Sequence, residues 1–175
     1  EQAITMGRVA GVAIWTGNPA YNPLVEKISR RNIPVILPHF PVPEGSVLGA
    51  SGIISCDPAE YARETARKIG SALAGKGTVA LTQGSFNQTE NQVMETFTRS
   101  MKDSFPNIQV LPPEEEGFDP SKSIAKGVAI LQAHPDVNAA FSSTGGGPTT
   151  WAGARKETKR PLLVVGMDYT RVNLD

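Results

Sequence analysis

The sequence has a single cysteine and only two histidines among its 175 residues. Cys56 therefore has no partner for an internal disulfide, and no spacing typical of a metal site exists. Lysine and arginine together number 17, as do aspartate and glutamate, so no basic surface for nucleic acid is indicated. No apolar run reaches the roughly 20 residues that a membrane-spanning helix needs. These observations favour a globular protein. We interpret Cys56 as a small buried side chain at a strand end.

Short runs of β-branched and apolar residues recur along the chain and alternate with helical patterns. These runs are residues 12–14, 35–37, 53–54, 79–81, 108–110, 139–141 and 162–165. Near-continuous apolar strands that alternate with amphipathic helices are typical of βαβ units. The fold class predicted from this pattern is α/β, with parallel sheets flanked by helices on both faces.

Four helix starts are indicated by capping residues and by proline at the first helical position. Asp57 to Glu60 reads as a capping box, and Thr89 with Gln92 reads as a second one. Asp119 and Asn22 each precede a proline and open two further helices. Behind each start, apolar residues recur at helical spacing and predict an inward face.

The stretch from Pro38 to Ser51 interrupts the alternation of strands and helices, because it is rich in proline and glycine and shows no hydrophobic periodicity. A long loop of this kind in a compact protein is usually functional or marks a boundary. We therefore place a domain boundary near Ser55.

The enzyme motifs that the sequence approaches are incomplete. Gly70–Gly77 resembles a phosphate-binding loop, but it ends in glycine instead of serine or threonine and precedes a strand. Gly145–Gly147 has no lysine and is interpreted as a flexible loop, and Glu114–Glu116 as a solvated one. His134 precedes Pro135 and is predicted to cap a helix. We therefore predict no catalytic residue, no metal ligand and no cofactor, and a protein that is not an enzyme.

Candidate ligand residues follow the predicted strands, because ligands of open parallel sheets bind beyond the carboxyl ends of the strands. These positions are Trp15–Thr16, His39–Phe40, Gln83–Phe86, Phe118, Ser143–Thr144 and Asp168–Tyr169. Aromatic rings mixed with small polar groups suit a neutral, polyhydroxylated ligand whose ring faces lie on the aromatics.

Several segments together resemble the type I periplasmic sugar-binding proteins, the ribose-binding group and its relatives. The segments are DPAEYARETARKIGSALAGKG, TVALTQGSFNQTENQVMETF, GVAILQAHPDVNAAFSS and LLVVGMDY, preceded by GVAIWTGNP and NPLVEKISRRNIPVILPHF. The resemblance implies a two-lobed protein that captures a sugar between its lobes and delivers it to an ABC transporter. It implies that residues 1–55 belong to the later part of the first lobe and 56–175 to most of the second, with both ends of the chain truncated.

The resemblance also assigns ligand positions. They fall on Trp15, His39, Phe40, Asn91, Phe118, Thr144 and Asp168. The family's Asp-Arg pair is replaced by His39 and Phe40, and a further family arginine by Asn91, whereas Asp168 keeps the family's residue type. Hydrogen bonds to charged groups are worth about 1.5–3 kcal/mol each. Their loss argues against ribose and favours a larger or less polar sugar.

The expected partners are a sugar-like ligand and an ABC transporter permease, with membrane contact only through that transporter and no nucleic acid. The expected location is periplasmic or extracytoplasmic, with a signal peptide in the full sequence. The alternative is the effector-binding core of a sugar-responsive transcription repressor, which an upstream helix-turn-helix would favour. An α/β enzyme would need a titratable pair. The strand ends offer only His39 and Asp168, in different predicted lobes.

Overall fold

The computed structural model describes residues 7, 9–15, 19–38 and 46–167. These residues divide into two compact units. One comprises the described residues up to Asp57 together with Asn87–Thr89, and the other comprises Pro58–Phe86 and the described residues from Glu90 onward. The assignment of residues 1–55 and 56–175 to two lobes of a longer protein stays a prediction.

The first unit contains a parallel sheet with a helix on one face. Its strands lie in the order β1 (Val12–Ala13), β2 (Val35–Pro38) and β3 (Gly52–Ile54). Helix α1 (Asn22–Ser29) begins where the sequence predicted, next to a short 3-10 helix, Pro19–Tyr21.

The core of the first unit lies between α1 and one face of its sheet. The buried residues of this core are Val25, Ile28, Val35, Leu37, Val47 and Ile53. Because strand side chains alternate between faces, Ile36 and Ile54 point to the other side, where both are exposed. Within the described residues, this sheet is thus covered on one face.

The second unit is built from five strands and four helices in the described residues. The strands are β4 (Gly77–Gln83), β5 (Ile108–Val110), β6 (Glu114–Glu115), β7 (Val137–Ser142) and β8 (Leu163–Val165). The helices are α2 (Pro58–Ala72), α3 (Gln88–Ser104), α4 (Pro120–Ala133) and α5 (Gly147–Thr158).

The sheet of the second unit is parallel throughout, as the sequence predicted. Its order is β5-β4-β7-β8, and β6 continues the β5 side by pairing with the end of β4. The short strand β6 was not predicted, because two exposed glutamates carry no apolar signal. The βαβ interpretation is therefore confirmed, with one strand added at the edge.

Both faces of this sheet are covered by separate hydrophobic clusters. Val79 and Leu81 of β4 face α2 and α3, where Phe97 and Phe141 pack with ring centroids 4.8 Å apart. The intervening residue Ala80 faces α4 and α5 on the opposite side. This cluster consists of Ala80, Leu111, Ile130, Leu131, Val137, Ala140, Trp151, Ala154 and Leu162. Burial on both faces explains why the strands read as continuous apolar runs.

The predicted cap is present at α4, but not at α3 and not at α1, where Tyr21 is the N-cap and no side chain caps the helix. Asp119 caps α4, because its carboxylate accepts hydrogen bonds from the backbone N–H groups of Ser121 and Lys122. The same helix ends at Ala133 with His134 as its C-cap. Helix α3 begins at Gln88, so Thr89 lies in its first turn and is not its cap.

Two further expectations are wrong. Cys56 is exposed, since it follows β3 in a connecting segment at the surface and not in a strand. Gly147 is not part of a flexible loop but opens α5, and it is buried against Ser142. None of the described helices is long and apolar enough to cross a membrane.

Candidate functional site

The carboxyl ends of β4, β6 and β7 lie at one edge of the second unit's sheet, because the three strands are parallel. Three turns leave this edge: Gly84–Phe86 after β4, Glu116–Phe118 after β6, and Ser143–Gly146 after β7. We call this the carboxyl edge. It contains several of the positions that the sequence predicted.

Gly84 is the point at which two predicted ligand residues meet. A Cβ atom added at Gly84 would lie 2.6 Å from Cε1 of Phe118 and 3.1 Å from Oγ1 of Thr144. The Phe118 ring and the Thr144 hydroxyl therefore both border the Gly84 backbone, and a side chain at this position would displace them. Phe118 remains 75% exposed, so most of its ring is open to a ligand.

Glu90, in the first turn of α3, connects the turns that follow β4 and β7. Its Oε2 atom accepts hydrogen bonds from the backbone N–H of Gly84 at 2.6 Å and from the Ser143 hydroxyl at 3.2 Å. This residue was not among those predicted from the sequence. An acidic residue in the first turn of a helix that follows a strand was the available signal.

Asn91 lies at the same edge through its contact with Gln83. The side-chain amide of Gln83 donates to Oδ1 of Asn91 at 2.8 Å and to the carbonyl of Ser85 at 2.9 Å. Gln83 is buried, and its own amide oxygen has no hydrogen-bond partner. The structure thus brings together Asn91, Phe118 and Thr144.

An open cavity of about 500 Å³ extends from this edge along one side of α3. Gln83, Phe86 and Asn91 line it near the carboxyl edge, and Arg99 and Lys102 line it further along the helix. This volume lies within the range of small-molecule sites.

Glu116 lies beneath the carboxyl edge and corrects the interpretation of Glu114–Glu116 as a solvated loop. Glu114 and Glu115 are exposed on β6, but Glu116 is only 5% exposed. One oxygen, Oε1, accepts a hydrogen bond from the Ser142 hydroxyl at 3.2 Å, whereas Oε2 is inaccessible and has no hydrogen-bond partner. Burial raises the pKa of Glu116, although neighbouring hydroxyls oppose that effect.

The other four predicted ligand residues are not among the described residues of the second unit. Trp15 follows β1 in the first unit and is 77% exposed. His39, Phe40 and Asp168 lie outside the described residues. A ligand role for each of the seven predicted residues stays a prediction. Among the described residues, no group of three or more His, Cys, Asp or Glu side chains could hold a metal ion.

The chain belongs to the periplasmic binding protein domain family, whose model matches residues 1–175. Comparison with curated protein sequences finds no match.

Solved structures show the same fold. The chain is similar to GanP, a glucose-galactose binding protein from Geobacillus stearothermophilus, with 21% identity and a TM-score of 0.84. It is also similar to a sugar-binding protein of a sugar ABC transporter from Bacillus halodurans, with 21% identity and a TM-score of 0.84. A third match is an ABC transporter solute-binding protein from Burkholderia graminis in complex with D-arabinose, with 22% identity and a TM-score of 0.82.

These three alignments each cover 99% of this chain but only 59–61% of the solved chains. The chain therefore spans about three fifths of the length of these similar proteins. The α/β fold of the type I periplasmic sugar-binding proteins, which the sequence resemblance implied, is confirmed.

Proposed function

We propose that the protein is an extracytoplasmic solute-binding protein that captures a sugar and delivers it to an ABC transporter. The single observation that carries this proposal is Phe118. Its ring is exposed at the carboxyl edge beside the hydroxyl of Thr144, within a family of periplasmic binding proteins. An aromatic face beside uncharged hydrogen-bonding groups fits the apolar face and the hydroxyls of a sugar ring.

The polar groups around Phe118 support a neutral ligand. Thr144 and Asn91 offer a hydroxyl and an amide, which both donate and accept hydrogen bonds. The carboxylate of Glu90 is occupied by Gly84 and Ser143. The proposed substrate class is a neutral sugar, and the proposed binding residues are Trp15, His39, Phe40, Asn91, Phe118, Thr144 and Asp168.

The transport role is supported by the family and by the similar proteins of known structure, two of which are binding proteins of ABC transporters. We propose a transporter permease as the protein partner and a location outside the cytoplasm. The protein would bind its ligand without changing it. Incubation of the full-length protein with the identified sugar, followed by analysis of the recovered sugar, should return it unaltered.

Calorimetric titration of the full-length protein with a panel of aldoses, ketoses and disaccharides tests the binding proposal. We expect at least one sugar to bind with a dissociation constant on the order of 1 μM, about −8 kcal/mol. Phe118→Ala should weaken that binding at least tenfold, because the ring face is lost, whereas Phe118→Tyr should retain it.

The matched control is Tyr21→Leu, which removes another exposed aromatic ring at a position with no predicted ligand role. This variant should bind the sugar like the wild-type protein. Absence of binding by every sugar in the panel would contradict the proposed function. Equal affinity of Phe118→Ala and wild type would remove Phe118 from the site.

A further inference from the structure

Glu116 is a buried acid whose neighbours, in the part of the chain that the structure describes, are hydroxyl groups. The hydroxyl of Ser142 donates to Oε1, and the hydroxyls of Thr82 and Thr150 also act on the carboxyl group. Thr150 Oγ1 is itself buried without a hydrogen-bond partner, as is Oε2 of Glu116. Among the described residues, no cation lies beside the carboxylate to offset its loss of hydration.

The hydroxyl surroundings suit both protonation states of the acid. A hydroxyl donates one hydrogen bond and accepts others, and its hydrogen rotates freely. Thr82 accepts from the indole N–H of Trp151 at 3.0 Å, which leaves its own hydrogen available to Glu116. The Ser142 hydroxyl donates to the carboxyl group, and a hydroxyl at this place is also able to accept a hydrogen bond from the protonated acid.

Ser142 connects this buried acid to the candidate ligand site. Its hydroxyl donates to Glu116 and accepts a hydrogen bond from the backbone N–H of Thr144 at 3.3 Å. The Thr144 carbonyl in turn accepts from the N–H of Gly147 at the start of α5. Glu116 is thus linked to the turn that carries Thr144 through a single intermediate side chain.

In the part of the chain that the structure describes, the charged groups near Glu116 favour its neutral form or are paired with other residues. Glu90, in α3, is the charged residue that acts on Glu116, and it raises the pKa of that carboxyl. On β6, Glu114 is paired with Lys126 of α4 at 2.9 Å, both at the surface. The neighbours supplied by β4, β7 and α5 are the hydroxyls of Thr82, Ser142 and Thr150.

We propose that Glu116 is a buried proton-binding group that positions the turn carrying Thr144, so that ligand binding at the carboxyl edge depends on pH. The ligand part of this inference rests on the proposed function, whereas the proton-binding part does not. Ionisation leaves a buried charge without a counter-ion among the described residues, so water must reach the carboxylate, and the turn after Ser142 opens to admit it.

The pH dependence of folding stability follows from the raised pKa of Glu116. The pKa of Glu116 is higher in the folded state than in the unfolded chain, so the folded state holds the proton over a wider range. The stability associated with the neutral acid is fully present below the unfolded pKa. It is lost as the pH rises through the folded pKa.

The first experiment measures urea unfolding of the full-length protein between pH 4 and pH 8.5 for wild type, Glu116→Gln and Glu115→Gln. The amide introduced by Glu116→Gln mimics the neutral acid, so the midpoint of this variant should exceed that of wild type increasingly as the pH rises. Glu115→Gln removes an exposed carboxyl one position away and should follow the wild-type profile. A constant difference between Glu116→Gln and wild type at all pH values would overturn the proposal.

A second measurement needs no variant and reports on position. The side-chain carboxyl ¹³C signal of Glu116 and the amide signal of Thr144 are followed in the wild-type protein as the pH changes. The two signals should titrate with the same midpoint, above the ordinary value of a glutamate. A Thr144 amide that does not respond to Glu116 would refute the positioning role.

Binding of the sugar identified by calorimetry supplies the third readout. The affinity of wild type should fall as the pH rises through the Glu116 titration, and that of Glu116→Gln should change less. Identical pH profiles would contradict the coupling to ligand binding. If no sugar binds, the proposed function fails, while the unfolding and spectroscopic results still decide whether Glu116 is a proton-binding group.

Discussion

Gly147 has no side chain, and this allows the start of α5 to pack closely against Ser142 at the carboxyl edge. A Cβ atom there would lie 2.1 Å from Cβ of Ser142, far inside van der Waals contact. Gly147→Ala should therefore push the start of α5 away from the end of β7. Overpacking of this kind costs about 1–3 kcal/mol, measurable as a lower free energy of urea unfolding.

The neighbouring Gly146 provides a matched control. A Cβ atom at this position meets nothing within 4 Å, and its φ of −77° is ordinary for any residue. Gly146→Ala should leave the free energy of unfolding within about 0.5 kcal/mol of wild type or raise it slightly. Equal stability of the two variants would show that the close approach to Ser142 relaxes without cost.

Single residues also set the limit of prediction from the sequence. The aromatic and small polar residues Phe118 and Thr144 were predicted because each follows a strand, and the structure brings them to the same glycine. Glu116 could not be separated from Glu114 by composition. Whether a glutamate in this run is buried depends on the pairing of β6 with β4, which is a contact between residues distant in sequence.

Helix α4 illustrates how one side chain holds the end of an element. The guanidinium of Arg160 donates to the carbonyls of Leu131 and Val137, each at 2.6 Å, and of Pro135 at 2.7 Å. A helix leaves its last carbonyls without partners, and a cation near that end satisfies them. Arg160 thereby joins the end of α4 to the start of β7 and to the segment before β8.

We expect Arg160→Met to lower the free energy of unfolding by about 1–3 kcal/mol, because the methionine keeps part of the packing but none of the donors. Arg155→Met, which removes an exposed arginine from the last turn of α5, is the control and should change stability by about 0.5 kcal/mol or less. Chemical denaturation of both variants is the measurement. A loss no larger in Arg160→Met than in the control would show that water replaces these hydrogen bonds.

The boundaries of some helices could be predicted from the sequence, because residues near the helix ends indicate where the helix starts and stops. Asp119 before Pro120 marked the start of α4, and His134 marked its end, as the structure shows. The Thr89–Gln92 pattern misplaced the start of α3, because the helix already begins at Gln88 and Thr89 lies in its first turn. Strand β6 left no local signal, because its two residues are exposed glutamates and the strand is defined by its pairing with β4, which is distant in sequence.

For the whole molecule, the two units differ in how their sheets are covered. Strands β4 and β7 pair from Thr78 to Thr82, and a buried cluster lies on each face of that sheet. In the described part of the first unit, the core lies on one face, and Ile36 and Ile54 are exposed on the other. Local opening of β4 or β7 therefore exposes apolar surface on two sides, whereas opening of β2 or β3 exposes it on one.

Backbone amides in β4 and β7 should accordingly exchange with solvent more slowly than those in β2 and β3. Burial of apolar surface opposes local opening, so the protection of an amide follows the cover on both faces of its strand. Hydrogen exchange of the full-length protein, followed by mass spectrometry of peptides from each strand, measures the difference. Added sugar should slow exchange further in peptides that contain Phe118 and Thr144, since a ligand stabilises the state that it binds. Equal protection of the four strands without sugar would contradict the prediction and show that the sheet of the first unit is covered on both faces in the full-length protein.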